Sequence, residues 1–497
     1  GQMDALGAAA IETSLKLVNT DGAVLARQIG LSPPDVQSGA QSEWGRVTLE
    51  ASGRPNDAVN FRLDTEGIGV QGTVAGSGRL PKPGGREITG RVDVAIADAE
   101  SLLALVGIGL PAFTATALEV HGDLSATDDI WRLSGLEVTR DDITVRGDLS
   151  FDFGGVERTL GGMLETDRVD LAWLLGSLVG SEAVRFPEVA YGEPAWPSTV
   201  LAPAEKSGWR GSIEITTPAF TLFDGVVLTG AETTFTFDER RVSLDSLRGN
   251  LFGGRMAAGF DLVDTDGVAV FSGRADLANA RLEEIVWKDH GRAVASGEVS
   301  AGIVLDGRGR SLSAVVSSLS GTGSFTVTNG ILRQLNPSAF DQIVSATDAG
   351  LDLEEEKVRA AFAGHLESGS LAFKSMEGAF SISSGVLRAS TIHIDAQDLD
   401  SFASATVDLP VLGLDSEWTL QTDASDEGGR KREVGVIFAG PLADPAREID
   451  VNPLLGYLTV RAFEQEVERL ERLQSEILER QRLGRELIRR GQERQRK

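Results

Sequence analysis

Apolar and polar residues alternate with a period of two over most of the chain. Phe61-Arg62-Leu63, Val92-Asp93-Val94-Ala95-Ile96, Ile213-Glu214-Ile215, Phe235-Thr236-Phe237 and Ile392-His393-Ile394 all follow it. Successive side chains of an extended backbone point to opposite faces, so each segment predicts a strand with one dry and one wet face. Glycine-containing turns separate these segments, as in a sheet of many short connections. Short helices are expected at Ala99 to Val106, Leu171 to Val179 and Leu282 to Trp287. Each follows a basic residue, an apolar residue and an aspartate: Arg91-Val92-Asp93, Arg168-Val169-Asp170 and Arg274-Ala275-Asp276. Such aspartates cap helices or close turns.

One pair of segments repeats almost letter for letter. Gly323-Ser324-Phe325-Thr326-Val327-Thr328-Asn329-Gly330-Ile331-Leu332-Arg333 maps onto Gly378-Ala379-Phe380-Ser381-Ile382-Ser383-Ser384-Gly385-Val386-Leu387-Arg388. The pattern predicts a hairpin in each copy, turning at Asn329-Gly330 and at Ser384-Gly385. It extends to a meander of repeated hairpins, each packed on its neighbours. Pro187, Pro194, Pro197 and Pro203, with Tyr191 and Trp196 among them, mark 187–208 as a linker or an ordered loop. It would separate an N-terminal β region, 1–186, from a second one, 209–452. Over 453–497 glycine becomes rare, and Phe463, Val467, Leu470, Leu473 and Ile477 take three-and-four spacing. That is one face of an amphipathic helix. Its first half is expected to dock on the sheet, leaving a basic end for solvent, an envelope protein partner or an anionic membrane surface.

Composition narrows the functions. Over 497 residues, 47 Lys and Arg face 74 Asp and Glu, a net charge of −27. That balance argues against a nucleic-acid partner, which needs basic surface. From Arg461 onward the sign reverses, with 11 basic and 8 acidic residues. The absence of cysteine removes disulfides, thiolate metal sites and cysteine nucleophiles. The histidines, at 121, 290, 365 and 393, are too dispersed to suggest a metal site. Gly67-Ile68-Gly69-Val70-Gln71-Gly72 matches a dinucleotide fingerprint in letters only, because strand and turn residues follow it instead of a helix. Asp264-Thr265-Asp266-Gly267 lacks the remaining oxygen ligands of a calcium loop and reads as a turn. No nucleophile elbow, phosphate loop or zincin helix is present, so no catalytic residue, cofactor or metal is assigned and the chain reads as a non-enzyme. The chain begins at Gly1 without a visible signal peptide. Its longest apolar stretch, Leu102 to Phe113, is broken by glycine and proline and falls short of the ~20 residues of a spanning helix.

The twin segments at 323–333 and 378–388 resemble the AsmA-like family of bacterial envelope proteins. Leu319-Ser320-Gly321-Thr322-Gly323 and Gly249-Asn250-Leu251-Phe252-Gly253-Gly254-Arg255 fit the same family. Phe402 to Leu409 before Pro410, and Phe438-Ala439-Gly440-Pro441-Leu442 before Asp444-Pro445, are similar to its late strand and closing segment. The resemblance covers about 210–460. It implies a mainly β protein: an elongated, curved antiparallel sheet of repeated hairpins with an apolar trough, short interspersed helices and a C-terminal α-helix. It also implies a periplasmic body held at the inner membrane by an anchor outside this chain. The implied role is to bind phospholipid or conduct it between the inner and outer membranes, in support of outer-membrane assembly. A non-enzymatic scaffold for outer-membrane protein assembly and a glycan-acting enzyme are the alternative readings. Under the lipid reading the trough would be lined by Phe325, Val327, Phe380, Ile382, Ile392 and Ile394.

Overall fold

The computed structural model describes residues 10–28, 44–54, 57–66, 70–82, 85–96, 118–140, 142–179, 181–184, 192–201, 208–223, 226–396, 399–422 and 430–495. The expected helix at Ala99 to Val106, the apolar stretch Leu102 to Phe113 and Tyr191 lie outside them.

The N-terminal strands are β1 (Ile11–Asn19), β2 (Gly45–Arg54), β3 (Ala58–Glu66), β4 (Val70–Lys82), β5 (Gly85–Ile96), β6 (Leu118–Thr127), β7 (Ile130–Arg140), β8 (Ile143–Asp152) and β9 (Arg158–Thr166). After the two-residue β10 (Val169–Asp170) come β11 (Trp209–Phe223), β12 (Val226–Phe237), β13 (Arg241–Leu251), β14 (Gly254–Thr265) and β15 (Val268–Arg281). A small separate hairpin, β16 (Lys288–Asp289) and β17 (Arg292–Ala293), follows. The remainder are β18 (Ala295–Gly309), β19 (Ser320–Arg333), β20 (Ser370–Ser383), β21 (Val386–Ala396), β22 (Leu399–Asp408), β23 (Gly413–Thr422), β24 (Glu433–Pro441) and β25 (Ala446–Asp450). The helices are α1 (Gly22–Gln28), α2 (Leu171–Val179), α3 (Leu312–Ser317), α4 (Ala339–Asp348), α5 (Glu355–Glu367) and α6 (Asn452–Gln495).

Among the described residues twenty-three strands form one long open sheet. Neighbours pair antiparallel, with the exception of β11, which lies parallel to β9 and β10. Among the described residues β1 pairs only with β2, and β25 only with β24, so the sheet does not close into a barrel. A parallel neighbour requires a crossover connection. That crossover carries α2 and the proline-rich segment, and the sheet runs through the boundary at 187–208 without a break. The segment's described part is fastened to the later strands. Trp196 Nε1 donates to the Leu409 carbonyl at 2.8 Å, and Ser313 N to the Pro197 carbonyl at 2.9 Å.

Three local expectations need correction. Of the aspartates placed before short helices, Asp170 does cap one: its Oδ1 accepts the Trp173 N–H at 3.0 Å, opening α2. Asp93 and Asp276 instead lie inside β5 and β15, because alternation continues past them and the backbone stays extended. The helix expected at Leu282 to Trp287 shrinks to a 3-10 turn, Leu282–Glu284, since one turn of apolar spacing cannot offset the cost of helix nucleation. The first of the twin segments is no hairpin. It is a single strand, β19, which passes through Asn329 in the left-handed region (φ 51°) without reversing. The second is a true hairpin, with Ser384 (φ 52°) and Gly385 (φ 73°) joining β20 to β21.

The repeat itself has a packing reason. β19 and β20 are antiparallel neighbours, so the two copies pair with each other in reverse: Gly323 faces Phe380, and Phe325 faces Gly378. Each ring covers the other copy's glycine. A Cβ on Gly378 would stand 2.7 Å from Phe325 Cε1, closer than real Cβ contacts come.

Candidate functional site: an apolar sheet face

Residues directly paired across a sheet share a face. Followed from strand to strand, one apolar row crosses the molecule. At the N-terminal end Leu15 pairs with Leu49, Leu49 with Leu63, Leu63 with Val74 and Val74 with Val92. Val92 pairs with Gly122, and two residues along β6, on the same face, the row resumes at Leu124 and continues through Leu133 and Leu149 to Gly162. It crosses the parallel junction from Gly162 to Ile213, then runs through Phe235, Leu244 and Phe260. Beyond Gly273 and Leu305 it reaches Gly321, Ile382, Leu387 and Val407. The opposite face is wet and charged. Arg62 with Asp64 (3.0 Å), Arg91 with Asp123 (3.4 Å) and Arg146 with Glu137 (2.9 Å) form exposed ion pairs there. A hydrogen bond from Thr73 Oγ1 (2.6 Å) and the Arg62 guanidinium hold the Asp64 carboxyl below the usual carboxylate range.

What covers the apolar face changes along the row. Over β3–β9 the row residues Leu63, Val74, Val92, Leu124, Leu133 and Leu149 are half-buried. No residue of these strands belongs to any of the three buried clusters among the described residues. Past the junction, Leu174 of α2 joins Phe235 and Leu244 in a closed cluster. An aromatic group of Trp131, Phe151, Phe153 and Trp209 stands beside that junction, with Phe153 and Trp209 centroids 5.5 Å apart.

The six residues named from sequence all lie in the covered part. Val327 (2% exposed), Ile392 and Ile394 are buried in one cluster, with Phe325 packed against it. Ile382 is buried in another, with Val316 of α3, Leu319 and the ring of Trp196. Phe380, half-buried, touches both clusters. The cover over the first cluster is helical: Phe340 and Ile343 of α4, Val358, Phe362 and Leu366 of α5, and Leu454 and Leu458 of α6. Phe340 and Phe362 meet edge to face, centroids 5.3 Å apart. Ion pairs fasten these helices. Arg461 of α6 binds Asp348 of α4, Arg432 binds Asp341 at 2.5 Å, and Arg447 binds Glu367. The Arg461 guanidinium holds the Asp348 carboxyl below its ordinary range.

Sequence reasoning overlooked this helical cover. The signal was present: Val358, Phe362 and Leu366 recur at four-residue spacing inside the 36-residue connection between β19 and β20. The expected docking of the C-terminal helix also needs correction, since its contact is shorter than half its length. Leu454 and Leu458 are buried, but from Val460 onward the apolar side chains are exposed, because the sheet ends beneath the helix's first turns.

An open, mainly antiparallel sheet with one continuous apolar face defines a class of extended β proteins rather than a compact catalytic domain. The model of the AsmA family matches residues 188–392, about two-fifths of the chain, and that segment is AsmA-like. The AsmA family is a bacterial envelope family and is not in general a family of enzymes. No curated protein and no solved structure matches the chain. Among the described residues no helix is long and apolar enough to cross a membrane, and no group of three or more His, Asp or Glu is placed to hold a metal ion.

Proposed function

We propose that this protein is a periplasmic envelope factor that shields phospholipid acyl chains on its apolar sheet face and passes them between the inner and outer membranes, in support of outer-membrane assembly. The observation that carries this reading is the apolar row, which glycines interrupt but no polar side chain does, with Leu63, Val74, Val92, Leu124, Leu133 and Leu149 half-buried over β3–β9. At ~4.8 Å between strands, seven strands cover ~29 Å. That is close to the ~30 Å apolar thickness of a bilayer, or two acyl tails end to end. Transfer along such a face needs no catalytic group, only continuous dry contact. In this reading the lipid-facing stretch lies in the N-terminal half. Phe325 on β19 and Phe380 on β20 lie within the covered half, packed against its buried clusters. The alternative, a non-enzymatic scaffold for outer-membrane protein assembly, draws on the closed helical cover of the later strands.

Mass spectrometry of organic extracts from the purified protein separates the two. Stoichiometric phospholipid, lost in the Val92→Asp/Leu149→Asp double variant while circular dichroism is unchanged, supports the lipid reading. Lipid-free wild-type protein across mild purifications would sink it in favour of the scaffold.

A further inference from the structure

Beyond the contacts that Arg461, Glu464 and Gln465 make with Asp348 and Arg430, α6 presents an exposed and mainly apolar stripe. Val460, Phe463, Val467, Leu470, Ile477 and Ile488 are 37–71% exposed. They fall on a strict alternation of three and four residues, with Gln474, Gln481 and Gly484 filling the remaining places. That alternation is a heptad seam. At ~1.5 Å per residue it extends ~40 Å from Val460 to Ile488. A helix this long gains most of its stability from packing on one face, and here the seam faces solvent.

The charges flanking the seam select the occupant. Residues 464–479 carry 6 acidic against 2 basic side chains, and 480–497 carry 8 basic against 2 acidic. An anionic membrane would be repelled by the first half. In a parallel pair of such helices, Glu466 would face Glu471 of the second copy and Arg480 would face Arg485, each contact occurring twice by symmetry. Reversing one helix removes those repulsions and places Glu464 opposite Arg485 of the second copy. In that register Phe463 meets Ile488, Val467 meets Gly484, Leu470 meets Gln481 and Gln474 meets Ile477. Self-pairing of Gln474 and of Gln481 would favour the parallel form. The four like-charge contacts outweigh it, because a glutamine amide at the seam reaches solvent at the rim.

We infer that α6 is a dimerisation element: its stripe is covered by α6 of a second copy of this chain, running antiparallel. The dimer joins two sheets tail to tail through the long helices and adds no cover over β3–β9 of either.

The full chain lacks cysteine, so single introduced cysteines report the arrangement without interference. Sedimentation equilibrium should give a dimer, and Leu470→Glu/Ile477→Glu should raise its dissociation constant by more than about tenfold. Under oxidation, Val467→Cys chains mixed with Gly484→Cys chains should form mixed crosslinked dimers, whereas Val467→Cys alone should not. A wild-type monomer at tens of micromolar would overturn the inference, as would efficient crosslinking of Val467→Cys to itself. Flotation of a monomer with vesicles of anionic phospholipid would overturn it too, and assign the stripe to a membrane.

Discussion

Two charge substitutions on the same sheet face should behave in opposite ways. Val327 is 2% exposed beneath α4–α6, and Val92 is half-buried on β5, outside the three buried clusters among the described residues. In Val327→Asp the new carboxyl enters a buried cluster of apolar side chains. Full burial raises such a group to about 7–9 from its usual ~3.9. Holding it neutral at pH 7 costs about 4 kcal/mol, at 1.36 kcal/mol per pH unit. Losing the buried valine adds about 1.5–2 kcal/mol, for a total near 6. A raised folded-state pKa makes the ionisation part of the loss greatest at neutral pH. It fades as pH falls towards ~4, where the unfolded carboxyl is also protonated. Val92→Asp keeps its carboxylate in contact with water and should cost about 1 kcal/mol, with little pH dependence. Urea unfolding followed by tryptophan fluorescence at pH 7 and pH 4.5 measures both. Equal losses for the two variants at pH 7 would refute the distinction between a covered and an uncovered stretch, and with it the proposed lipid path over β3–β9.

Other consequences are as definite. Gly378→Ala should destabilise the β19–β20 pair by about 1–3 kcal/mol, because its Cβ meets the Phe325 ring. Phe325→Ala in the same chain should recover part of that loss, and a double-mutant cycle in urea with no coupling would contradict the reciprocal ring-on-glycine packing. The Asp348 carboxyl is depressed by Arg461, so its contribution to docking α4 on α6 is complete above its unfolded value of ~3.9. It is lost as pH falls through the lower folded value. The side chain is 41% exposed, so the effect stays within about 1 kcal/mol. Hydrogen exchange should show α4 loosening below pH 4 in the wild type and already at pH 7 in Arg461→Ala.

Alternation made the sheet legible from sequence, and the strands at Phe61, Val92, Ile213, Phe235 and Ile392 all form. Tight-turn chemistry was more treacherous. Asn329-Gly330 and Ser384-Gly385 look alike, and both place a non-glycine residue at positive φ. Only the second reverses the chain, because Arg333 and Ser370 are held in register by the long β19–β20 pairing. A dipeptide permits a turn; the neighbouring strand decides whether one is made. The cover over Val327 and Ile394 was hidden for a different reason. Period two reports which face is dry, and says nothing of what lies on it.

Connection length supplies the missing information. Where strands are joined by two residues, as by Asp128-Asp129 or Asp266-Gly267, the connection itself is too short to lie across the face, and any cover comes from a longer connection elsewhere in the chain or from another molecule. Where the connection runs to 36 residues, between β19 and β20, it folds into α4 and α5 and closes the face from within. Both faces have the same side-chain chemistry, so the energy gained on removing them from water is the same per unit area. The difference lies in who provides the cover. Shortening the β19–β20 connection to a tight turn, with α4 and α5 deleted, should therefore convert the later strands into the same half-buried surface as β3–β9. Such a chain should take up additional phospholipid on the newly bared face if acyl chains are what the uncovered stretch holds, and should aggregate through that face, lipid-free, if they are not.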